Sequence, residues 1–102
     1  MDSNFLAEAG EGYVQVLNLS ATTPMALGPL MPAMSPRLIL IKVEGQSIRF
    51  RDDGTAPTAT VGYPVAAGEE FSYTGVPSNQ QNLSIIGQTA GATVNILFYW
   101  QD

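Results

Sequence analysis

The chain has 102 residues, enough for one domain with one core. Apolar residues make up 45% and charged residues only 13%, so a packed globule is expected, with a surface built largely from Ser, Thr, Asn, Gln, Gly and Ala. The net charge of −5 includes just four cations, Arg37, Lys42, Arg49 and Arg51, too few to displace counterions from nucleic acid or to hold an anionic membrane surface.

Residues 1–11, "MDSNFLAEAGE", read as a polar N-terminal arm. Ser3 is a candidate cap for a short helix, and Phe5 and Leu6 are apolar enough to dock on the domain or on a neighbouring subunit. The arm starts acidic and lacks an apolar h-region, the pattern of a chain made without an export signal. The rest, 12–102, reads as one β-domain.

"GYVQVLNLS" alternates with period two, placing Tyr13, Gln15, Leu17 and Leu19 on one face and Val14, Val16 and Asn18 on the other. The segment 21–36 carries Pro24, Pro29, Pro32 and Pro36 among Met25, Met31 and Met34. Proline excludes a helix interior and a central strand, so an extended run is expected, with a short edge strand around Met25–Leu27. Because the segment is apolar it must lie over something. Two readings stand open: a loop across its own core, or a subunit contact in which pliable Met25, Leu30, Met31 and Met34 side chains fit a partner.

"RLILIKVEG" predicts a central strand covered on both faces. In "QSIRFRDDG" Ile48 and Phe50 point inward while Arg49 and Arg51 point outward, and the short Gly-bearing link between the two strands predicts a hairpin. Asp52 to Thr55 is a turn. Ala56 to Gly68 is expected to run extended at an edge guarded by Pro57 and Pro64. "FSYTG", "LSIIGQ" and "TVNILFYW" are further strands; in the last, Val94, Ile96, Phe98 and Trp100 share a face. Seven to eight short strands with regular turns predict an all-β, single-domain antiparallel β-sandwich, jelly-roll-like or Ig-like.

Little in the sequence points to catalysis. With no Cys and no His, thiolate nucleophiles, the usual zinc sites and the Ser-His-Asp triad are excluded. Asp52 and Asp53 offer oxygen ligands, but the alternating ligands and closing Glu of an EF-hand are missing, and Asp-Asp-Gly is a common turn. A glycosidase pair drawn from Asp52, Asp53, Glu69 and Glu70 lacks aromatic support from a chain with one Trp. No enzyme, metal or cofactor is therefore expected. Arg49 and Arg51, two apart on one strand, form either a solvated face or an anchor for an acidic neighbour. Tyr13, Tyr63, Tyr73, Tyr99 and Trp100 read as core and rim packing rather than a glycan platform. Asn18-Leu19-Ser20 and Asn82-Leu83-Ser84 match the glycosylation pattern but fall in strands and read as chance.

The stretch "IRFRDDGTAPTATVGYPVAAGEEFSYTG", with the final "ATVNILFYW", resembles small virion-associated proteins of tailed bacteriophages and their prophages. The shared pattern is Arg-x-Arg-Asp-Asp-Gly-Thr-Ala-Pro-Thr-Ala, then Gly-x-Pro-x-x-Ala-Gly, and a closing Ala-Thr-x-Asn strand. The likeness spans about residues 47–100. It implies a non-enzymatic virion structural role, made in the bacterial cytoplasm: a capsid decoration or cement protein that contacts a major capsid or tail protein. A homo-oligomer is expected, and a three-fold arrangement suits a capsid surface. The alternative is a tail or fibre accessory, or a host-glycan-binding β-module using loops such as Val76–Asn82.

Overall fold

A computed structural model describes residues 12–30, 36–74, 79–80 and 82–99. The expected arm, with Phe5 and Leu6, lies outside the described residues, as do Met31, Met34 and Trp100. The described residues form eight strands: β1 (Tyr13–Leu19), β2 (Met25–Ala26), β3 (Leu38–Glu44), β4 (Ile48–Arg51), β5 (Tyr63–Val65), β6 (Glu70–Tyr73), β7 (Ser84–Gly87) and β8 (Ala92–Tyr99). They make two four-stranded sheets, in the orders β1-β8-β3-β6 and β2-β7-β4-β5. No described helix is long and apolar enough to cross a membrane.

The pairing has a simple logic. β1 pairs with β8, β2 with β7, β3 with β6 and β4 with β5, all antiparallel. The chain is thus one long antiparallel ribbon, folded back at β4–β5 and wrapped around a core. Two further pairings, β3 with β8 and β4 with β7, complete the sheets. This is the strand order of an eight-stranded jelly roll rather than that of an immunoglobulin sandwich.

The ribbon overturns the expected β3–β4 hairpin. β3 and β4 lie in different sheets, and "EGQS" is a corner between them. Gly45 takes a φ of 84°, and the Gln46 amide donates to the Glu44 carbonyl at 3.0 Å. The corner lets Val43 and Ile48, both fully buried, enter the same core from opposite sheets. A short Gly-bearing link fits either geometry. What decides is that each strand finds a longer-range partner.

Between the sheets lie Ile39, Ile41, Val43, Ile48, Leu83, Ile85, Val94, Ile96 and Phe98, all fully buried. Each such side chain contributes about 1.5–3 kcal/mol by leaving water. β8 buries every second residue from Ala92 to Phe98, as its alternation predicts. β3 is central, as expected, but it buries one face only: Lys42 and Glu44 are exposed and Leu38 and Leu40 half-buried. β1 departs from simple alternation. Val14 and Val16 pack on the core, a bulge intervenes between Val16 and Leu19, and Asn18 takes a φ of 55°. The extra residue turns Leu19 inward, away from the face it would share with Tyr13 and Leu17.

Gly87, at the end of β7, tests the packing of this corner. A Cβ there would stand 2.6 Å from the Thr89 carbonyl oxygen, which is backbone and cannot swing away. Gly87→Ala should destabilise the fold by about 2 kcal/mol, read as a lower urea midpoint at unchanged slope. Gly68→Ala, where nothing lies within 4 Å but φ is +90°, should cost about half as much, from backbone strain alone.

Candidate functional site

β4 places its side chains alternately, and the two outward arginines do different work. Arg49 is half-buried. Its Nε donates to the Ala59 carbonyl at 3.2 Å and its Nη1 to the Gly62 carbonyl at 2.8 Å. It thereby holds the segment before β5 against the outer face of the β2-β7-β4-β5 sheet. That segment is not extended throughout, as the sequence had suggested. Thr58 and Val61 exchange backbone hydrogen bonds across a tight turn, and Pro57 is buried. Ile86, which pairs with Arg49 and shares its face, is only 1% exposed. Gly62 is needed at the point of closest approach: φ is 141°, and a Cβ would meet the Arg49 and Pro57 side chains at 3.1 Å.

Arg51 instead closes on Asp53, Nη2 to Oδ2 at 2.5 Å and Nε to Oδ1 at 3.1 Å. Asp53 Oδ1 also accepts from the Thr55 amide, fixing the turn that Gly54, at φ 88°, makes possible. The Arg51 hydrogen bond first, and the Thr55 amide second, hold the Asp53 carboxyl down to about 2. The pair is therefore fully present above the ordinary carboxylate range and is lost only as pH falls toward that value.

Asp52 points the other way in function. Its Oδ2 accepts from the Tyr73 hydroxyl at 2.5 Å and its carbonyl from Asn79 Nδ2 at 3.3 Å. The first bond ties β6 of one sheet to the turn after β4 of the other. Burial, and then the Asp52 carboxylate, push the Tyr73 phenol far above its usual value.

Around this turn lies an open cleft of about 340 Å³, lined by Phe50, Arg51, Asp52, Asp53, Gly62 and Tyr63. Phe50 stacks on Phe71, with ring centroids 4.6 Å apart and planes 4° from parallel, and Tyr63 leans on Phe50 at 5.3 Å and 45°. Tyr63 is 67% exposed, so it packs at the rim and not in the core. Its sequence neighbours carried part of the signal: Pro64 after it marks an edge strand, which has a neighbouring strand on one side only. Gln80 was also missed. Within a segment that reads as an exposed polar loop, it is buried and donates from Nε2 to the Pro36 carbonyl at 2.8 Å.

The expected contact residues divide accordingly. Met25 pairs with Ile85 through β2, and Met25 and Leu30 are half-buried against their own core. Arg49 is committed to backbone carbonyls and Arg51 to Asp53, while Phe5, Leu6, Met31 and Met34 fall outside the described residues. Among the described residues no group of three or more metal-ligating side chains comes together.

The fold and site thus define a jelly-roll sandwich with an aromatic-walled, charge-lined cleft at its rim. Comparison with known proteins returned no family model, no curated protein and no solved structure that matches the chain.

Two predictions test these contacts. Arg49→Ala removes two charge-assisted hydrogen bonds from a half-buried setting and should cost about 2 kcal/mol; Arg49→Lys, whose single ammonium lacks the planar fork, should recover less than half of it. In alkaline titration followed by tyrosinate absorbance, Tyr73 should remain protonated at pH 11, above the usual phenol value of about 10. The Tyr73–Asp52 bond thus stabilises the fold in full below the usual phenol value, and that contribution is lost as pH rises from there through the raised folded-state value; Tyr73→Phe should remove this late-titrating phenol.

Proposed function

We propose that this chain is a non-enzymatic structural protein of a tailed-bacteriophage virion, a capsid decoration or cement protein that stabilises the particle through subunit contacts. The observation that carries the reading is the outer face of the β1-β8-β3-β6 sheet. By register, Tyr13, Leu97 and Leu40 form one row across three strands, and Tyr99 and Leu38 form the next. Tyr13 is 49% exposed and the other four are half-buried, a contiguous apolar surface. Such a surface favours burial against a partner.

The adjoining polar rows do not compete for that partner. Tyr13 Oη and Gln15 Nε2 both donate to Asn95 Oδ1, at 2.7 and 2.9 Å, and Asn95 Nδ2 donates to Glu44 Oε1 at 2.9 Å. These bonds run within the sheet, and Lys42 and Glu70 continue the Asn95 row as exposed charges, which leaves the apolar rows as the adhesive part. The low share of charge, the Arg-x-Arg-Asp-Asp-Gly resemblance and the jelly roll itself, a fold common to viral capsid domains and lectins, support the same role. The fold supports it by analogy only, since one fold hosts many functions.

The double variant Leu40→Glu, Leu97→Glu places two charges on this face and none in the core. It should retain the far-UV spectrum of the parent and lose oligomerisation and co-sedimentation with particles. Unchanged assembly would reject the face as the contact. Association with tail assemblies rather than heads would place the protein in the tail-accessory class instead.

A further inference from the structure

We infer that the rim cleft between Tyr63 and the Arg51–Asp53 turn is a binding site for a neutral pyranose ring. This goes beyond the virion role and does not depend on it. The chemistry of the walls argues for a sugar. A pyranose offers an apolar C–H face beside a ring of hydroxyls, each both donor and acceptor. Tyr63 presents an aromatic surface, 67% exposed and steadied from behind by Phe50, which itself rests on Phe71. Next to it stand planar polar groups of both kinds: the Arg51 guanidinium donates, and the Asp52 and Asp53 carboxylates accept.

These groups are held in place before any ligand arrives. Asp53 is fixed by Arg51 and the Thr55 amide, Asp52 by the Tyr73 hydroxyl, and the Gly62 wall by Arg49. A preorganised site loses little freedom on binding. The cleft, at about 340 Å³, falls at the small end of small-molecule sites, suited to one ring rather than a buried chain. Charge selects further. One guanidinium against two carboxylates leaves the site with a net negative charge in a chain of net −5, which disfavours acidic sugars and phosphates. The carboxylates are already engaged by Arg51 and Tyr73, which weakens the case for a partner's lysine or arginine.

The test is a ¹H–¹⁵N and aromatic NMR titration of the full chain with methyl glucoside, methyl galactoside and N-acetylglucosamine, alongside N-acetylneuraminic acid and Nα-acetyl-arginine amide. At least one neutral pyranose should give saturable shifts at Arg51–Asp53, Gly62 and Tyr63, with a Kd of about 1 mM. Tyr63→Ala should weaken it about tenfold, corresponding to the loss of one aromatic contact. Tyr63→Phe should preserve it, and Arg51→Gln should weaken it several-fold, so that a folding defect in any one variant leaves the others to decide. The proposal is overturned if no neutral pyranose gives saturable shifts up to about 100 mM, if the shifts lie elsewhere or survive Tyr63→Ala, or if the acidic sugar or the arginine derivative binds more tightly.

Discussion

The guanidinium of Arg49 is the contact on which the distinctive half of this structure depends. It reaches over the outer face of its own sheet and donates to two carbonyls, those of Ala59 and Gly62. This holds down the segment between β4 and β5, over the face that Ile86 occupies, and fixes the backbone leading into Tyr63. Those same residues form the turn end of the antiparallel ribbon. Without a fixed connection there, β5 would be a three-residue edge strand held by β4 alone. The glycine at position 62 and the arginine at 49 are thus two halves of one constraint: close approach requires the missing Cβ, and the guanidinium supplies the attraction.

A jelly roll built on this constraint presents separate surfaces for separate purposes. The outer face of the β1-β8-β3-β6 sheet is apolar along two rows, with a polar row beside them in which Gln15, Asn95, Lys42 and Glu70 stand side by side. The rim near the turn end carries the cleft. The Tyr73–Asp52 bond joins the two sheets beside that cleft, so its walls are tied to both layers of the sandwich. In the proposed arrangement, the flat sheet face mates with other virion proteins while the rim stays open.

The strands were legible where the chemistry was local. Alternation in "ATVNILFY" identifies β8 and its buried face, prolines mark β2 and β5 as edges, and the overall count and class follow from turn spacing. What escaped was decided at long range. A three-residue link with a glycine fits a hairpin or a corner equally, and only the pairing of β3 with β6 and β8 makes it a corner. The inward turn of Leu19 depends on a bulge at Asn18 that no composition rule announces. Of the site, the Asp52–Thr55 turn and the outward arginines were visible. The role of Arg49 was not, because its acceptors are backbone carbonyls ten and thirteen residues away, which leave no side-chain signature. Tyr63 reads, with the other aromatics, as core and rim packing on an edge marked by Pro57 and Pro64; that its ring stands two-thirds exposed against Phe50 depends on the Phe50 and Phe71 side chains behind it, which no local pattern announces.

The most direct measurement is the solvent exchange rate of the Arg49 side-chain Nε–H by NMR. A proton donated to the Ala59 carbonyl from a half-buried guanidinium should exchange much more slowly than that of Arg37, whose side chain is exposed. It should also show a through-bond correlation to the Ala59 carbonyl carbon. Exchange at the rate of an exposed arginine, with no such correlation, would contradict the account, because the segment before β5 and the Gly62 wall of the cleft would then be held by something else.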